Sequence, residues 1–174
     1  LPDQFVLKTT HDSGGVVICI NKKTFDATEA KIKLKKHLKE NPFHRTREWP
    51  YKNIIPRIIA EKYMVDESGC QLKDYKFFCF GGQAHYIQVD YDRSTNHKRN
   101  IYNTSWELQN FTIEYPNDVS CIIPRPENLD KMISIANMLS EGMCHLRVDL
   151  YSIKDEIYFG ELTFYHGSGT ECFS

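Results

Sequence analysis

The sequence has no apolar run approaching the roughly 18 residues a membrane-crossing helix needs, and no charged-then-apolar leader. A cytoplasmic protein without a membrane span is expected. There is no excess of one charge: 22 Lys and Arg against 23 Asp and Glu leave a formal net charge of -1. No global field therefore draws the chain to nucleic acid or to anionic lipid. The six cysteines (Cys19, Cys70, Cys79, Cys121, Cys144 and Cys172) include no CxxC pair, and several interrupt apolar stretches such as Phe77-Phe78-Cys79-Phe80. Reduced, mostly buried thiols are predicted, not zinc ligands or disulfides. No GK[ST] follows the glycines, which excludes a P-loop, and no Ser–His–Asp or Cys–His signature offers a protein nucleophile. Repeats and low-complexity segments are lacking, as is an initiator methionine, so a fragment of a longer protein is expected.

What is present is enough for a folded core: 174 residues, 41% hydrophobic and 13% aromatic. Phe5–Leu7 and Val16–Ile20 read as strands joined by His11-Asp12-Ser13-Gly14-Gly15, a glycine turn. From Asp26 to Lys39, Ala30, Leu34 and Leu38 recur at helical spacing, with a lysine-rich solvated face opposite. Residues 41–56, aromatic, basic and interrupted by prolines, form a connector. A second sheet is predicted from Arg57–Met64, Tyr75–Phe80 and Ala84–Asp90, the last two joined at Gly81-Gly82. Tyr91–Trp106 reads as a polar loop. Leu129, Met132, Ile133, Ala136 and Leu139 mark a helix over about 129–141, preceded by Pro126 and ended by Gly142. A hairpin, Leu146–Ile153 with Ile157–Phe164, closes the chain.

Alternation along that hairpin puts Arg147, Asp149 and Tyr151 on one face, and Phe159, Glu161 and Thr163 on one face of the partner. With Lys154-Asp155-Glu156 as the loop, Asp149 falls opposite Glu161 and Arg147 opposite Thr163. Opposed Cβ atoms lie about 4.5–5.5 Å apart. Two like charges at about 4 Å repel by about 4 kcal/mol at an effective dielectric of 20. Something must offset that repulsion: Arg147 as a structural ion pair, or a divalent cation on the same oxygens. Without such a cation, removing either carboxylate is expected to raise stability slightly. Hard oxygen donors in small number suit Mg²⁺ shared with phosphates. Near the other end, Lys8 stands at the end of a strand just before Asp12-Ser13-Gly14-Gly15. Glycines there let backbone N–H groups approach phosphate oxygens, and the lysine can neutralise them. A plain hairpin turn accounts for the same residues.

Together these segments, in this order, resemble the ATP-grasp fold: the Lys8 strand and glycine turn, Glu61-Lys62-Tyr63-Met64, Asp74–Gly82, the Arg/Asn loop Asp92–Arg99, then Arg147-Val148-Asp149 and Gly160-Glu161-Leu162-Thr163. More closely, His11–Gly15, Arg47-Glu48-Trp49-Pro50-Tyr51, Asp74–Phe80 and Arg147–Tyr151 are similar to the TupA-like (teichuronopeptide-biosynthesis) branch over nearly the whole chain. Relatives in that branch are encoded among bacterial capsule and cell-wall polysaccharide genes, some of them labelled glycosyltransferases.

The resemblance implies an α+β ATP-grasp fold, two small lobes (about 1–60 and 61–174) whose antiparallel sheets clasp ATP, with a substrate-binding lobe outside this chain. It implies that adenine contacts the Glu61–Met64 hinge, including Lys62 and Tyr63, and that ribose lies near Asp74. Lys8, Ser13, Gly14, Gly15 and Lys76 hold phosphates in that reading. Asp149, Glu161 and Thr163 hold Mg²⁺, and Arg147, Arg93 and Arg99 stabilise charge on the transferred phosphoryl. Thr163 stands where many family members have asparagine, which puts a second metal in question; His166 is expected to line the site. The implied activity joins a carboxylate to an amine through an acyl phosphate, with an acceptor that a saccharide can carry. Two other classes stay open: a sugar transferase using Asp90-Tyr91-Asp92 as its metal motif, and a non-catalytic nucleotide-binding module. The aromatics Trp49, Tyr51 and Trp106 read as packing residues, with a sugar platform as the alternative.

Overall fold

The computed structural model describes residues 1–65, 72–91, 97–121, 123–154 and 156–174. Cys70, Asp92, Arg93, Ser94, Thr95, Asn96 and Asp155, named above, lie outside the described residues. The chain divides into two compact units, Leu1–Met64 and Val65–Ser174.

In the first unit, β1 (Phe5–Thr9) is the centre of a three-stranded antiparallel sheet with β2 (Val16–Cys19) and β3 (Ile58–Lys62) on either side. The Ile58–Lys62 strand therefore belongs with β1 and not, as its place in the sequence suggested, with the strands that follow it. A strand with two edges can take a partner on each, and local order along the chain does not reveal which edge is filled. Helix α1 (Ala27–Lys39) begins where Asp26 Oδ1 accepts from the N–H of Thr28 and Glu29 at 2.8 and 2.9 Å, satisfying two of the orphan donors of its first turn. It buries Ala30 and Leu34 in the unit's core, which also holds Phe5, Cys19 and Phe43 of the short helix α2 (Phe43–Thr46).

The second unit is a five-stranded antiparallel sheet in the order β6-β5-β4-β7-β8, made of β4 (Asp74–Phe80), β5 (Gln83–Tyr91), β6 (Lys98–Asn103), β7 (His145–Ile153) and β8 (Glu156–Thr163). Gly81 and Gly82 both take positive φ, 57° and 80°, as a two-residue hairpin turn requires. Helix α3 (Leu129–Leu139) packs on one face, sinking Leu129, Met132 and Ala136 among Phe77, Ile87, Val89, Val148 and Leu150. Fully burying side chains of this size stabilises by about 1.5–3 kcal/mol each relative to exposure. Leu139, placed in the stripe by its spacing, is 38% exposed at the helix end. Trp106 packs against this core, stacked on Tyr102 with ring centroids 4.3 Å apart and its Nε1 donating to the Ile123 carbonyl.

Three expectations need correction. Residues 98–103 are a strand and not part of a polar loop; Arg99 and Asn100 are buried on it because each finds hydrogen-bond partners. Cys144 and Cys172 are exposed, although Cys19 and Cys79 are buried. Phe159 stands opposite Leu150 and does not share the face of Glu161.

The last point comes from a bulge. Near the turn the hairpin register runs Ile153 opposite Glu156 and Leu150 opposite Phe159, so Glu156 is strand and not loop. Continued unbroken, that register would set Gly160 opposite Asp149. One extra residue intervenes, and Asp149 faces Glu161 with Arg147 facing Thr163. Gly160 is that residue, and a Cβ there would lie 2.9 Å from the Asp149 carbonyl oxygen and 3.1 Å from Tyr151 Cε2. Gly160→Ala is expected to cost about 1–3 kcal/mol, as overpacking does. An unchanged urea midpoint in that variant would show that the bulge accepts a side chain.

Candidate active site on the polar face of the second sheet

On the sheet face away from α3, one end of three neighbouring strands is polar. Asp74 and Lys76 on β4 stand beside Asp90 and Gln88 on β5, and beside Tyr151 and Asp149 on β7. Asp74, Lys76, Gln88, Asp90 and Asp149 are all buried. Ionised groups withdrawn from water persist only when paired, and here they are paired densely. Lys76 Nζ is hydrogen-bonded to Asp74 Oδ2 and lies 3.4 Å from Asp149 Oδ2 and 3.7 Å from Asp90 Oδ2. Asp74 and Lys76 are thus a buried pair at the centre of a cluster.

Arg147 organises the other side. Its Nε and Nη2 donate to the two oxygens of Asp149, both at 2.8 Å, and Nη2 also reaches Glu161 Oε1 and Thr163 Oγ1 at 3.0 Å. Burial raises the Asp149 carboxyl above its ordinary value, with Glu161 adding to the rise; Lys76 and Arg147 oppose it but do not prevail. Arg147 is itself raised: burial works against its charge, and Asp149, then Glu161, outweigh burial. The guanidinium, with Lys76 on the other side of Asp149, offsets the repulsion between Asp149 and Glu161.

Asp90 is gripped from a third direction by Arg99, with Nε to Oδ1 at 2.7 Å and Nη2 to Oδ2 at 3.4 Å, and by His97 Nε2 at 3.1 Å. Burial would raise its pKa, yet the Arg99 hydrogen bonds and charge, with Lys76 and His97, hold it at about 2. Arg99 also donates to the Ile113 carbonyl at 2.9 Å and lies over the Tyr115 ring. Its guanidinium is engaged on every side, as suits a residue that holds the cluster in place.

The residues expected at the glycine turn lie in the first unit. Lys8 forms an ion pair with Glu61, Nζ to Oε2 at 2.5 Å, diagonally across β1 and β3. Ser13 and Gly14 are exposed, and Gly15 is buried. Gly14 and Gly15 do not use positive φ. They are needed for closeness: a Cβ at Gly15 would lie 1.8 Å from Thr9 Oγ1, and one at Gly14 would lie 2.8 Å from His37 Cε1. Asp12 accepts from Thr9 Oγ1, from His37 Nδ1 and from the Gly15 N–H at 3.3 Å. Burial raises Asp12, but these bonds prevail and hold its carboxyl below the usual range. Lys62 ends β3, and Tyr63 and Met64 follow it half-buried.

Among the described residues no group of three or more His, Cys, Asp and Glu side chains gathers as a metal site. Asp149, Glu161 and Thr163 form a smaller, all-oxygen set. Its two carboxylates already converge on one cationic group, Arg147. That donor chemistry fits a hard divalent ion taking its other ligands from phosphate and water. Sequence reasoning did not find Gln88, or Asp90 in this role. The signal was there as polar residues at every second position on two otherwise apolar strands, Asp74 and Lys76, then Gln88 and Asp90.

The sequence matches the TupA-like ATP-grasp family over residues 1–174, and the chain belongs to that family. Its helices and antiparallel sheets are those of the α+β ATP-grasp fold. Solved structures similar to it include the D-alanine–D-alanine ligase of Bacillus anthracis complexed with ATP, at 15% identity and a TM-score of 0.44 over 92% of this chain and 39% of that one. The ATP-grasp ligase PsnB, complexed with a minimal precursor, Mg and ADP, is similar at 10% identity and 0.46 over 92% and 38%. The D-alanine–D-alanine ligase of Helicobacter pylori is similar at 14% and 0.46 over 97% and 44%. The chain thus spans less than half the length of each. No curated protein matches the sequence. No helix among the described residues is long and apolar enough to cross a membrane.

Proposed function

We propose that this chain is the ATP-binding core of a carboxylate–amine ligase acting in bacterial capsule or cell-wall polysaccharide assembly. The observation that carries this reading is the Asp149–Glu161 pair, set face to face across the hairpin with Arg147 spanning both. In this reading Asp149, Glu161 and Thr163 hold Mg²⁺. Lys8, Ser13, Gly14 and Gly15 receive phosphates, Glu61 to Met64 the adenine, and Asp74 the ribose. ATP with Mg²⁺ supplies the γ-phosphoryl group that activates a substrate carboxylate as an acyl phosphate, open to attack by an amine.

The chain's own residues position groups and neutralise charge, which is most of what phosphoryl transfer asks of a protein. Arg147 presents a guanidinium already pinned by Asp149, so it pays little reorganisation when negative charge develops beside it. Lys76 keeps Asp149 in place from the other side, and Arg99 does the same for Asp90. The engagement of both Asp90 oxygens by Arg99 speaks against a sugar-transferase metal motif built on that residue.

ADP with Mg²⁺ at about one hundred times its Kd is expected to stabilise the chain by about 2.7 kcal/mol, read as a rise in Tm, and UDP-glucose to give none. Lys8→Ala should shrink the ADP effect while leaving unliganded stability within about 0.5 kcal/mol. Stabilisation by UDP-glucose with no response to adenine nucleotides would overturn the reading.

A further inference from the structure

Beside the Arg147 cluster, on the same sheet face, a cavity of about 370 Å³ is lined by Phe78, Phe80, Tyr86, Phe111, Ile113 and Phe173, with Ser174 at its edge. Phe78 faces Arg147 in the β4–β7 register and Tyr86 in the β4–β5 register, which places the cavity one residue pair from the guanidinium. Its lining is almost wholly apolar and of a size for one ring or branched aliphatic group.

Two histidines pack against this lining. His145 stacks on Phe78 and Phe80, and His166 meets Phe78 and Phe173 edge-on. His145 Nδ1 is 3.2 Å from the Cys79 carbonyl oxygen, and His145 Nε2 is 3.2 Å from His166 Nδ1. A carbonyl only accepts, so His145 carries its proton on Nδ1 and its Nε2 is a lone pair. His166 must then donate from Nδ1, and its own Nε2 is left as a lone pair. Both rings stay neutral at pH 7: burial depresses them, with Arg147 adding for His145, and with His145 and then Arg147 adding for His166, which falls to about 4.

That lone pair faces a carboxylate. Glu171 Oε2 lies 3.9 Å from His166 Nε2, beyond hydrogen-bond reach, with the two side chains only 21% and 16% exposed. The chain makes room for this approach: a Cβ at Gly167 would lie 2.0 Å from Glu171 Cγ. Two acceptors at this separation are bridged by a group that donates to both, and one that is also positively charged offsets the carboxylate. An ammonium, with N–H bonds splayed at the tetrahedral angle, meets that requirement.

We infer that His166 Nε2 and Glu171 form the binding site for the ammonium group of a primary amine whose apolar, ring-bearing body fills the adjoining aromatic cavity. The site is oriented by its own hydrogen-bond chain, from the Cys79 carbonyl through His145 to His166. Taking this amine as the acceptor of the ligation rests on the ligase reading above; the amine site itself does not.

The test titrates the 174-residue chain calorimetrically with 2-phenylethylamine, 3-phenylpropanoate and ethylamine, and in parallel with ADP and Mg²⁺. Phenylethylamine is expected to bind at least tenfold more tightly than either of the others. Glu171→Gln should weaken it about tenfold without changing ADP affinity. Gly167→Ala, which pushes the Glu171 side chain away, should weaken it in the same sense. Equal affinity for the amine and the carboxylate, or no loss in Glu171→Gln while ADP still binds, would overturn the amine site. Amine binding without ADP binding would instead remove the ligase reading and keep the site.

Discussion

Lys76→Met is expected to lower the unfolding free energy by about 3–5 kcal/mol, the scale for removing one partner from a buried charge cluster. The ammonium is shared by Asp74, Asp90 and Asp149. Asp90 retains Arg99 and Asp149 retains Arg147, which limits the loss at those two carboxylates. Methionine matches the lysine stem in length and leaves the packing of its methylenes in place. What the substitution removes is therefore charge and not volume. The double variant Lys76→Met/Asp74→Asn should recover at least half the loss, because the amide no longer needs a counter-charge. Urea denaturation at pH 7 reads both. A single variant within about 1 kcal/mol of wild type would mean that the cluster is better hydrated than its burial indicates.

Asp149→Asn and Glu161→Gln are expected to part company, although the sequence offers them as equals. Asp149 is buried and takes both strong bonds of Arg147. Its amide would return only one acceptor to a guanidinium that needs two, at a cost of about 2–4 kcal/mol. The Glu161 side chain is 58% exposed, so its amide should leave stability within about 0.5 kcal/mol. In amine-dependent ADP release Glu161→Gln should nevertheless lose about 10²–10³ in turnover, the scale for one preorganised charge-stabilising group. Full turnover in Glu161→Gln, or equal stability losses in the two variants, would remove this carboxylate pair from the proposed chemistry.

Much of the architecture was legible because it follows from alternation and capping. Asp149 opposite Glu161 came from strand period together with a turn taken as Lys154-Asp155-Glu156, and α3 from Leu129, Met132 and Ala136. The route to that register was not legible: a short turn with an extra glycine and a longer turn without one give the same pairing at Asp149. β6 was hidden because Arg99 and Asn100 are polar, and their burial depends on Asp90 and on carbonyls distant in sequence. Asp90 drew notice only as part of Asp90-Tyr91-Asp92, since nothing local indicates that Lys76 and Arg99 will meet it. His145 and Glu171 escaped for the same reason. Their partners are Cys79 and His166, and only the closing of β4 against β7 brings His145 to the Cys79 carbonyl.

The Gly160 bulge has a second effect, on solubility. β8 is the last strand of its sheet and carries Tyr158 and Phe159, 39% and 58% exposed. A flat outer strand with such side chains would be a template for pairing with another molecule, and so for aggregation. An inserted residue breaks the even spacing of donors and acceptors and increases the local twist. A second chain laid along β8 would match its hydrogen bonds up to Phe159 and lose them beyond. The residue that seats Glu161 thus also keeps the aromatic rim from recruiting its own kind.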